Sequence, residues 1–364
     1  MNLSDKVSQA VQNSKLYNLN HFHEAWENPD IRRLMGNELL YPPSPHVIEA
    51  VKAMIPYINY YPEDAPTNKK LLNALAGYVG IDGGSDWITL GNGSMEIIDM
   101  VPHAFINPGD EILLPAPDYS PYSRRPIIFG GKIVDVIPDS NYVYSLEDFT
   151  SKITANTKMV IMSRPNAPVG NLIDRKIVEK LCEAQLIVVV DEAYAEFSEQ
   201  NLCDLIPRYE NFIISRTFSK AMGLGGIRLG YLIAHPEVIG YIDRIRVPEN
   251  TSVLTQTAAL AALEDIAYIK TNVKRVIATR EWFQEEIAKI PEIKVYPSQG
   301  NSVLMNVDGT GKTAEEFVTH IRNNGYLVRN LSGGRNLAGK GFFRVTVGTD
   351  QDMQAVAKLI KELV

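Results

Sequence analysis

The stretch from Ser215 to Tyr231, SRTFSKAMGLGGIRLGY, gathers reactive residue types around one lysine. Lys220 follows two hydroxyl residues, Thr217 and Ser219, and precedes a glycine run that leads to Arg228. A lysine amine can bond a carbonyl carbon covalently as a Schiff base, and the usual carbonyl cofactor is pyridoxal phosphate. Hydroxyls and a guanidinium suit the phosphate of that cofactor, because they form strong hydrogen bonds to an anion. The alternative is a solvated lysine in a flexible glycine loop, but the arginine and the glycines together favour a cofactor lysine.

A second reactive residue, Asp191, follows the apolar run from Leu186 to Val190 and opens the segment DEAYAEF. A carboxylate at the end of a buried strand costs free energy unless it meets a cation. A pyridinium nitrogen is such a cation, and an aspartate that keeps it protonated makes the ring an electron sink. Tyr194, a few residues on, would supply a phenol near the ring oxygen. A capping aspartate at the start of the next turn is the alternative interpretation of Asp191.

The turn GNGSME, which begins at Gly91, imitates the first half of a dinucleotide-binding fingerprint. It lacks the third glycine, and no acidic residue obviously closes a following strand at ribose distance, so NAD is not expected. A glycine turn that leads into Ser94 at a helix start offers free amides and the positive end of a helix dipole to a phosphate. A plain tight turn is the alternative.

Composition and charge narrow the class of protein. The chain of 364 residues exceeds one ordinary domain, and its 45% hydrophobic and 22% charged residues are typical of a globular enzyme. A net charge of −7 without a Lys/Arg block argues against nucleic-acid binding. Only Cys182 and Cys203 are present, so a disulfide framework is not expected and a reducing compartment fits. No signal peptide or membrane-length apolar run is visible, so we expect a cytoplasmic enzyme with no membrane partner.

Short apolar segments alternate with helical patterns from Trp87 onward, which predicts an α/β domain. Seven segments are predicted as strands, namely 87–90, 111–114, 132–136, 159–162, 186–190, 212–214 and 229–234. Continuous apolar runs such as LIVVV are typical of strands covered on both faces, so the sheet is predicted to be mostly parallel. Active sites on such sheets gather at the carboxyl ends of strands, where Ser94, Asn166 and Asp191 fall in the sequence.

The rest of the chain predicts a second, smaller domain. Residues 1–36 are predicted to form a polar helical arm, in which His21 and His23 lack a ligand cluster and indicate no metal site. Residues 37–255 would form the large domain. Residues 256–364 would supply long helices and a smaller α/β unit, with strands near 294–296, 303–307 and 343–347. The arm is expected to pack with the small domain or with a partner subunit.

Four motifs together resemble those of the fold type I pyridoxal-phosphate aminotransferases. In chain order, which is also the family's order, they are the segment PNAPVG from Pro165, the DEAY segment from Asp191, the lysine segment and the closing FFRVTVGT. The lysine segment and FFRVTVGT look most like the histidinol-phosphate aminotransferase branch, and the likeness runs from about Asn37 to the C-terminus. The resemblance implies a large domain with a mostly parallel seven-stranded sheet between helices, a smaller C-terminal α/β domain, and a homodimer with shared active sites.

The same resemblance implies roles for particular residues. Lys220 would form the Schiff base with the cofactor and carry the proton during turnover, while Asp191 would pair with the pyridine nitrogen and Tyr194 with the phenolic oxygen. Tyr119 would stack on the ring. The phosphate would be held by amides, hydroxyls, a guanidinium and a tyrosine of the neighbouring subunit: Ser94, Met95, Thr217, Ser219, Arg228 and Tyr61. The substrate would be bound by Tyr41, Arg329 and Arg344, and the fork of Arg344 would grip an α-carboxylate.

The sequence departs from the family's pattern in two loops near the predicted site. The family's Asn-Asn-Pro-Thr-Gly is here NAPVG, so the amide directly before the proline is replaced by Ala167. Asn166 is expected to take over the contact with the ring oxygen. The family's Asn-Glu-Asn-Pro-Tyr-Gly is here NELLYP, with Leu39 and Leu40 beside the expected substrate pocket. These leucines keep an aromatic or aliphatic amino acid open as a competing substrate.

We therefore predict a homodimeric aminotransferase of amino-acid biosynthesis. It would move an amino group between an amino acid, or an amino phosphate similar to histidinol phosphate, and a 2-oxo acid such as 2-oxoglutarate. Three alternatives use the same fold, because fold does not fix the reaction. They are a decarboxylase of an amino-acid phosphate, an aromatic or general amino-acid aminotransferase, and a cofactor-binding regulator without turnover. The sequence shows no basic patch that would support the regulator.

Overall fold

The computed structural model describes residues 2–12, 20–337 and 339–364 of the chain. These ranges contain twelve β-strands: β1 Arg32–Leu34, β2 Ile88–Asn92, β3 Glu111–Pro115, β4 Lys132–Val136, β5 Thr157–Ser163, β6 Ile187–Asp191, β7 Phe212–Thr217, β8 Leu229–Ala234, β9 Lys294–Tyr296, β10 Ser302–Asn306, β11 Tyr326–Asn330 and β12 Phe342–Thr346. Parts of the predicted N-terminal arm, residues 1 and 13–19, lie outside the described ranges.

The same ranges contain fourteen α-helices: α1 Gln9–Gln12, α2 Asn20–Glu27, α3 Pro45–Met54, α4 Lys69–Val79, α5 Ser94–Phe105, α6 Pro121–Ile128, α7 Leu146–Thr150, α8 Arg175–Glu183, α9 Ala195–Ser198, α10 Pro236–Ile245, α11 Val253–Glu264, α12 Ile266–Ile287, α13 Ala314–Asn323 and α14 Asp350–Lys361. Several ends follow the chemistry of the sequence. Ser44 caps α3 by accepting from the amide of His46, and α4 ends at Gly80 with a φ of 74°. None of the described helices is long and apolar enough to cross a membrane.

The large sheet has seven strands in the order β2-β8-β7-β6-β5-β3-β4. Strand β8 runs antiparallel to both neighbours, and the other pairs are parallel, so the predicted mostly parallel sheet is confirmed. Strand β6 shows why the run LIVVV is apolar throughout instead of alternating between apolar and polar residues. Val188 and Val190 join one hydrophobic cluster and Val189 joins another, because successive side chains of a strand enter opposite faces.

The smaller sheet has five strands in the order β1-β11-β12-β10-β9. Strand β1 was not predicted, because the sequence of residues 1–36 favoured a helical arm. Its three residues pair in parallel with β11, and Arg32 adds a forked ion pair to Asp352 at 2.7 Å. The pairing of β1 depends on a partner strand almost three hundred residues away, so no local sequence pattern could predict it. The long helix α12 contacts α9, which follows β6 in the chain, and β10 of the smaller sheet.

Candidate active site

Lys220 lies half-buried in the loop between β7 and β8. Its Nζ donates a hydrogen bond to the carbonyl oxygen of Gly36 at 2.9 Å and lies 5.9 Å from the centre of the Tyr194 ring. Leu39 packs on the same loop, because a Cβ at Gly223 would come within 3.0 Å of its Cδ2. The segment 36–39 therefore covers the lysine loop, and Leu39 contributes to that cover.

Asp191 ends β6 and is buried, with 4% of its surface exposed. Its Oδ1 accepts a hydrogen bond from the amide of Ala193 at 2.9 Å, and its Oδ2 accepts one from the Tyr122 hydroxyl at 2.5 Å. Burial raises the pKa of Asp191 to about 6, although Tyr122, Ala193 and Lys220 act in the opposite direction. A buried carboxylate is stabilised when a cation reaches it, and the sequence predicts that a pyridinium nitrogen is that cation.

Tyr122 is a residue of the site that sequence reasoning missed. It is fully buried in α6, and burial beside Asp191 raises its pKa well above the ordinary value, so its hydroxyl stays a donor. Its ring also meets Tyr119 edge-on, with centroids 5.5 Å apart. The only sequence signal was its place in PAPDYSPY, just after the predicted stacking residue Tyr119. The Tyr119 hydroxyl lies 3.4 Å from the sulfur of Met95 at the start of α5.

The first turn of α5, the side chain of Arg228 and the hydroxyl of Ser219 meet at one point. Gly93 precedes the helix with a φ of 76° and supplies no side-chain cap to the first amides, among them those of Ser94 and Met95. A Cβ at Gly93 would come within 2.2 Å of the Arg228 guanidinium, so only glycine permits this approach. Arg228 Nη1 donates to the Ser219 hydroxyl at 3.2 Å. Amides, a guanidinium and a hydroxyl in one place fit a phosphate group.

Thr217 stands just behind that cluster at the end of β7. Its hydroxyl accepts a hydrogen bond from the amide of Ser219 and donates one to the carbonyl of Leu229, at 3.1 and 3.3 Å. The hydroxyl therefore fixes the turn that carries Ser219 and Lys220. Its predicted contact with a phosphate stays a prediction.

The ring-oxygen end of the predicted site holds Tyr194 and an unexpected partner. Asn37 Nδ2 donates a hydrogen bond to the Tyr194 hydroxyl at 2.9 Å. Asn166, which was expected to reach the ring oxygen, uses its amide within its own loop. Its Oδ1 accepts from the amide of Val169 at 3.2 Å, and its Nδ2 donates to the carbonyl of Pro117 at 3.3 Å. Its assignment to the cofactor stays a prediction, and the geometry gives Asn166 a role in shaping the loop.

Two of the predicted substrate residues lie side by side on the smaller sheet, and the third, Tyr41, lies in the loop before α3. Arg329 on β11 and Arg344 on β12 are direct register partners, both half-buried, and Arg344 Nη2 donates to the carbonyl of Met35 at 3.2 Å. The Tyr41 ring lies under the Arg275 guanidinium, 5.6 Å from its centre. Tyr61 is 85% exposed, so its own chain leaves it uncovered.

The histidine pair of the predicted N-terminal arm, His21 and His23, lies on helix α2. His23 Nε2 is 3.2 Å from the Glu27 carboxylate one turn away. The side chain of His21 lies outside the described part of the structure. The contact of His23 is an ordinary surface pairing.

A lysine in the loop that follows β7, a buried aspartate and a helix start with uncapped amides fit a fold type I site for pyridoxal phosphate. The chain belongs to the aminotransferase class I and II family, whose model matches residues 29–360. A histidinol-phosphate aminotransferase from Methanothermobacter thermautotrophicus is 35% identical over 338 residues, which cover 92% of this chain and 89% of that protein. One from Syntrophotalea carbinolica is 35% identical over 334 residues, which cover 91% of this chain and 92% of that protein.

A solved structure agrees in fold. The histidinol-phosphate aminotransferase from Sinorhizobium meliloti, in complex with pyridoxal-5'-phosphate, superposes with a TM-score of 0.83 at 23% identity. The match covers 99% of this chain and 98% of that chain. The protein is therefore a pyridoxal-phosphate-dependent aminotransferase that acts on small molecules, and neither the decarboxylase nor the regulator is favoured.

The residues present fit the cofactor at both of its charged ends. The approach of Arg228 to Gly93 leaves a guanidinium beside uncapped helix amides, which suits the phosphate. Burial raises the pKa of Asp191, and a cation that reached its carboxylate would offset that effect, which suits the pyridinium nitrogen. When bound, the cofactor supplies a carbonyl for the substrate amine and a ring that accepts electrons.

Proposed function

We propose that this aminotransferase moves the amino group of a phosphorylated amine, similar to histidinol phosphate, to a 2-oxo acid such as 2-oxoglutarate. The observation that carries the proposal is the register pairing of Arg329 with Arg344. Two guanidinium groups on one face of a sheet suit an anion, because the arginine fork binds phosphate and carboxylate alike. The named relatives at 35% identity support the same choice of substrate class.

An enzyme with these two substrates must bind different anions in turn. A phosphorylated amine carries a phosphate and no carboxylate, whereas the 2-oxo acid carries carboxylates only. Arginine pairs meet both demands without rearranging charge, since the guanidinium stays protonated throughout. Arg344 is proposed to hold the carboxylate of the 2-oxo acid. Arg329, with the hydroxyl of Tyr41, is proposed to hold the distal anion.

The chain's own groups divide the remaining work. Lys220 Nζ lies beside the Gly36 carbonyl and is proposed to bond the cofactor and to carry the proton removed from the substrate. Asp191, anchored by Tyr122, is proposed to hold a proton on the pyridine nitrogen. Tyr194 is proposed to donate its hydroxyl to the ring oxygen, and Tyr119 to stack on the ring.

The assembly that we propose is a homodimer with shared sites. Residues 55–61 bear a run of exposed apolar side chains, called here the apolar loop surface: Ile55, Tyr57, Ile58, Tyr60 and Tyr61. Contiguous exposed apolar surface of this kind marks an interaction site, and a two-fold dimer is the commonest closed assembly. Tyr61 would then reach the phosphate site of the neighbouring subunit. Residues 37–255 and 256–364 are proposed as the large and small domains.

A cytoplasmic location in amino-acid biosynthesis belongs to the same proposal. Cys182 and Cys203 are both buried as free thiols. Burial raises the pKa of each thiol to about 12, so neither is a ready thiolate. Unpaired thiols are ordinary in a reducing compartment.

Purified protein loaded with pyridoxal phosphate would test the substrate class directly. Histidinol phosphate, histidinol, phenylalanine, leucine and glutamate would each be offered with 2-oxoglutarate, or with pyruvate where glutamate is the donor, and the amino-acid product would be quantified. We expect kcat/KM for histidinol phosphate to exceed that for histidinol by at least about a hundredfold, since the pair differs only in the phosphate. Faster turnover of phenylalanine or leucine, with none of the phosphorylated amine, would overturn the proposal.

A further inference from the structure

Asn37 lies between the smaller sheet and the lysine loop, and its backbone and side chain form hydrogen bonds with Thr346, Tyr194 and Asn301. It is 2% exposed. Its amide nitrogen donates to Thr346 Oγ1 at 2.9 Å, and Thr346 Oγ1 in turn donates to Asn37 Oδ1 at 3.1 Å. The remaining side-chain atom, Nδ2, donates to the Tyr194 hydroxyl at 2.9 Å. Both ends of the amide are therefore committed to named partners.

The backbone of Asn37 adopts a conformation that side chains usually avoid. Its φ is 54°, in the left-handed region where residues other than glycine are uncommon and asparagine is among the most tolerant. Such a conformation persists only where the surroundings fix it, and it clusters at functional sites. Here Asn301 Nδ2 adds a hydrogen bond to the Asn37 carbonyl at 3.0 Å. The strain and the committed amide point to one role.

We propose that Asn37 is a positioning residue that acts through Tyr194. Because Asn37 Nδ2 occupies a lone pair of the phenol oxygen, the phenol's own O–H is left to donate elsewhere. Donation to a hydroxyl also strengthens that hydroxyl as a donor. The Tyr194 O–H is thereby oriented and polarised toward the ring oxygen of the cofactor. This matters in a chain where the residue before Pro168 is Ala167, which has no side-chain amide. This inference rests on the proposed role of Tyr194.

The same bonds connect the Tyr194 hydroxyl to β12, the strand that carries the proposed substrate residue Arg344. Thr346 and Arg344 are alternate residues of β12, so their side chains lie on the same face of the sheet. Asn37 bridges Thr346 to Tyr194, a residue 157 positions further along the chain.

The test reads the bound cofactor rather than turnover. Asn37→Gly removes the amide and keeps the positive φ, because glycine adopts that region freely. The visible absorption of the protein with bound pyridoxal phosphate would be titrated against pH, and cofactor affinity measured by equilibrium dialysis. We expect the spectral midpoint to move by on the order of half a pH unit or more, as the loss of one hydrogen bond implies. An unchanged midpoint would overturn the proposal.

A double-mutant cycle distinguishes action through Tyr194 from general disturbance. In a Tyr194→Phe background, Asn37→Gly should move the midpoint no further, because the phenol is already absent. Asn301→Ala is the matched control, since it removes a hydrogen bond to the Asn37 backbone and leaves the phenol's partner in place. An additive shift in the double variant, or an equal shift in Asn301→Ala, would show that Asn37 acts only as structure.

Thr346 gives an independent variant if Asn37→Gly fails to fold. Thr346→Val removes the hydroxyl that holds Asn37 Oδ1, and Thr346→Ser restores it. The valine variant should shift the spectral midpoint and the serine variant should return it; equal behaviour of the two would refute the link. Because no substrate is present, these outcomes do not depend on which amine the enzyme accepts. A wild-type protein without any visible band would instead refute the proposed site itself.

Discussion

Arg329 and Arg344 are register partners on the antiparallel strands β11 and β12. Side chains directly opposite each other on such strands share one face with Cβ atoms about 4.5–5.5 Å apart, and like charges there repel. Both residues are half-buried, so water screens that repulsion less than at the surface. Two guanidinium groups that share one face of a sheet favour the binding of an anion. This relationship makes the pair the best place to test the substrate.

The first prediction concerns Arg329→Ala. The substitution should lower kcat/KM for the phosphorylated amine by about 2–4 kcal/mol in transition-state free energy, because the phosphate loses a charged partner. The loss should be much smaller for an uncharged aromatic amino acid. Steady-state kinetics on both amines, with 2-oxoglutarate held constant, would measure the difference.

Arg208→Ala is the matched control, since Arg208 is an exposed arginine in an ion pair with Glu179 at 3.2 Å. Arg208→Ala should leave kcat/KM unchanged for both amines, because exposed ion pairs contribute little free energy. Equal losses for both amines in Arg329→Ala would assign the enzyme to general amino-acid transamination.

The second prediction concerns Lys220→Ala. Removing the amine should abolish turnover and the visible absorption band of the bound cofactor, because the Schiff base to the cofactor is expected to form on this amine. Absorption spectra and single-turnover assays would measure both. Lys69→Ala, at an exposed lysine paired with Asp86, serves as the control and should leave both intact. Near wild-type transamination by Lys220→Ala would contradict the site.

The third prediction concerns Asp191→Asn in the holoenzyme. A neutral amide cannot hold a proton on the pyridine nitrogen, so the rate of proton removal from the substrate should fall steeply while some cofactor binding remains. Stopped-flow absorbance in a single turnover would measure that step. Unchanged kinetics would show that Asp191 is a structural cap.

The fourth prediction concerns the same substitution in cofactor-free protein. Burial raises the pKa of Asp191 from an ordinary value of 3.8 to about 6, so the folded chain holds this proton more tightly than the unfolded chain. The free energy of unfolding therefore falls as pH rises through this interval, and stays lower by about 3 kcal/mol above it. Asp191→Asn should remove that loss. Urea unfolding should find the variant more stable than wild type at pH 8, by a margin that shrinks at pH 5.

Added cofactor should reverse the order of stability at pH 8, since a pyridinium partner stabilises the aspartate and not the asparagine. A margin that does not depend on pH would contradict the assignment of the raised pKa to Asp191.

Local sequence was enough to predict the central strands and to identify Lys220 and Asp191 as candidate site residues. A cofactor lysine stands among residue types that bind phosphate, and Asp191 ends an uninterrupted apolar run, so each carries its context within a few residues. Contacts across the chain were not predictable in this way. Tyr122 meets Asp191 from 69 residues away, and Asn37 meets Tyr194 from 157 away. Both depend on how the loops fold over the sheet, and no periodicity in the sequence records that.

The last prediction concerns Tyr61 and the neighbouring subunit. Tyr61 is 85% exposed in a loop rich in exposed apolar side chains, so its proposed contact must come from outside its own chain. A dimer formed from one Tyr61→Phe subunit and one Lys220→Ala subunit would then contain one intact site. That site takes its lysine from the first subunit and its Tyr61 from the second, while the other site lacks both.

Co-expression of the two variants, with different affinity tags to isolate the mixed dimer, would test this arrangement. Per mixed dimer, activity should approach half that of wild type and exceed the mean of the two variant homodimers, because one site regains every group. If each chain instead used its own Tyr61, the mixed dimer would hold only a Tyr61→Phe site and show no gain. Light scattering supplies the second measurement, and a fully active monomer at working concentration would contradict shared sites altogether.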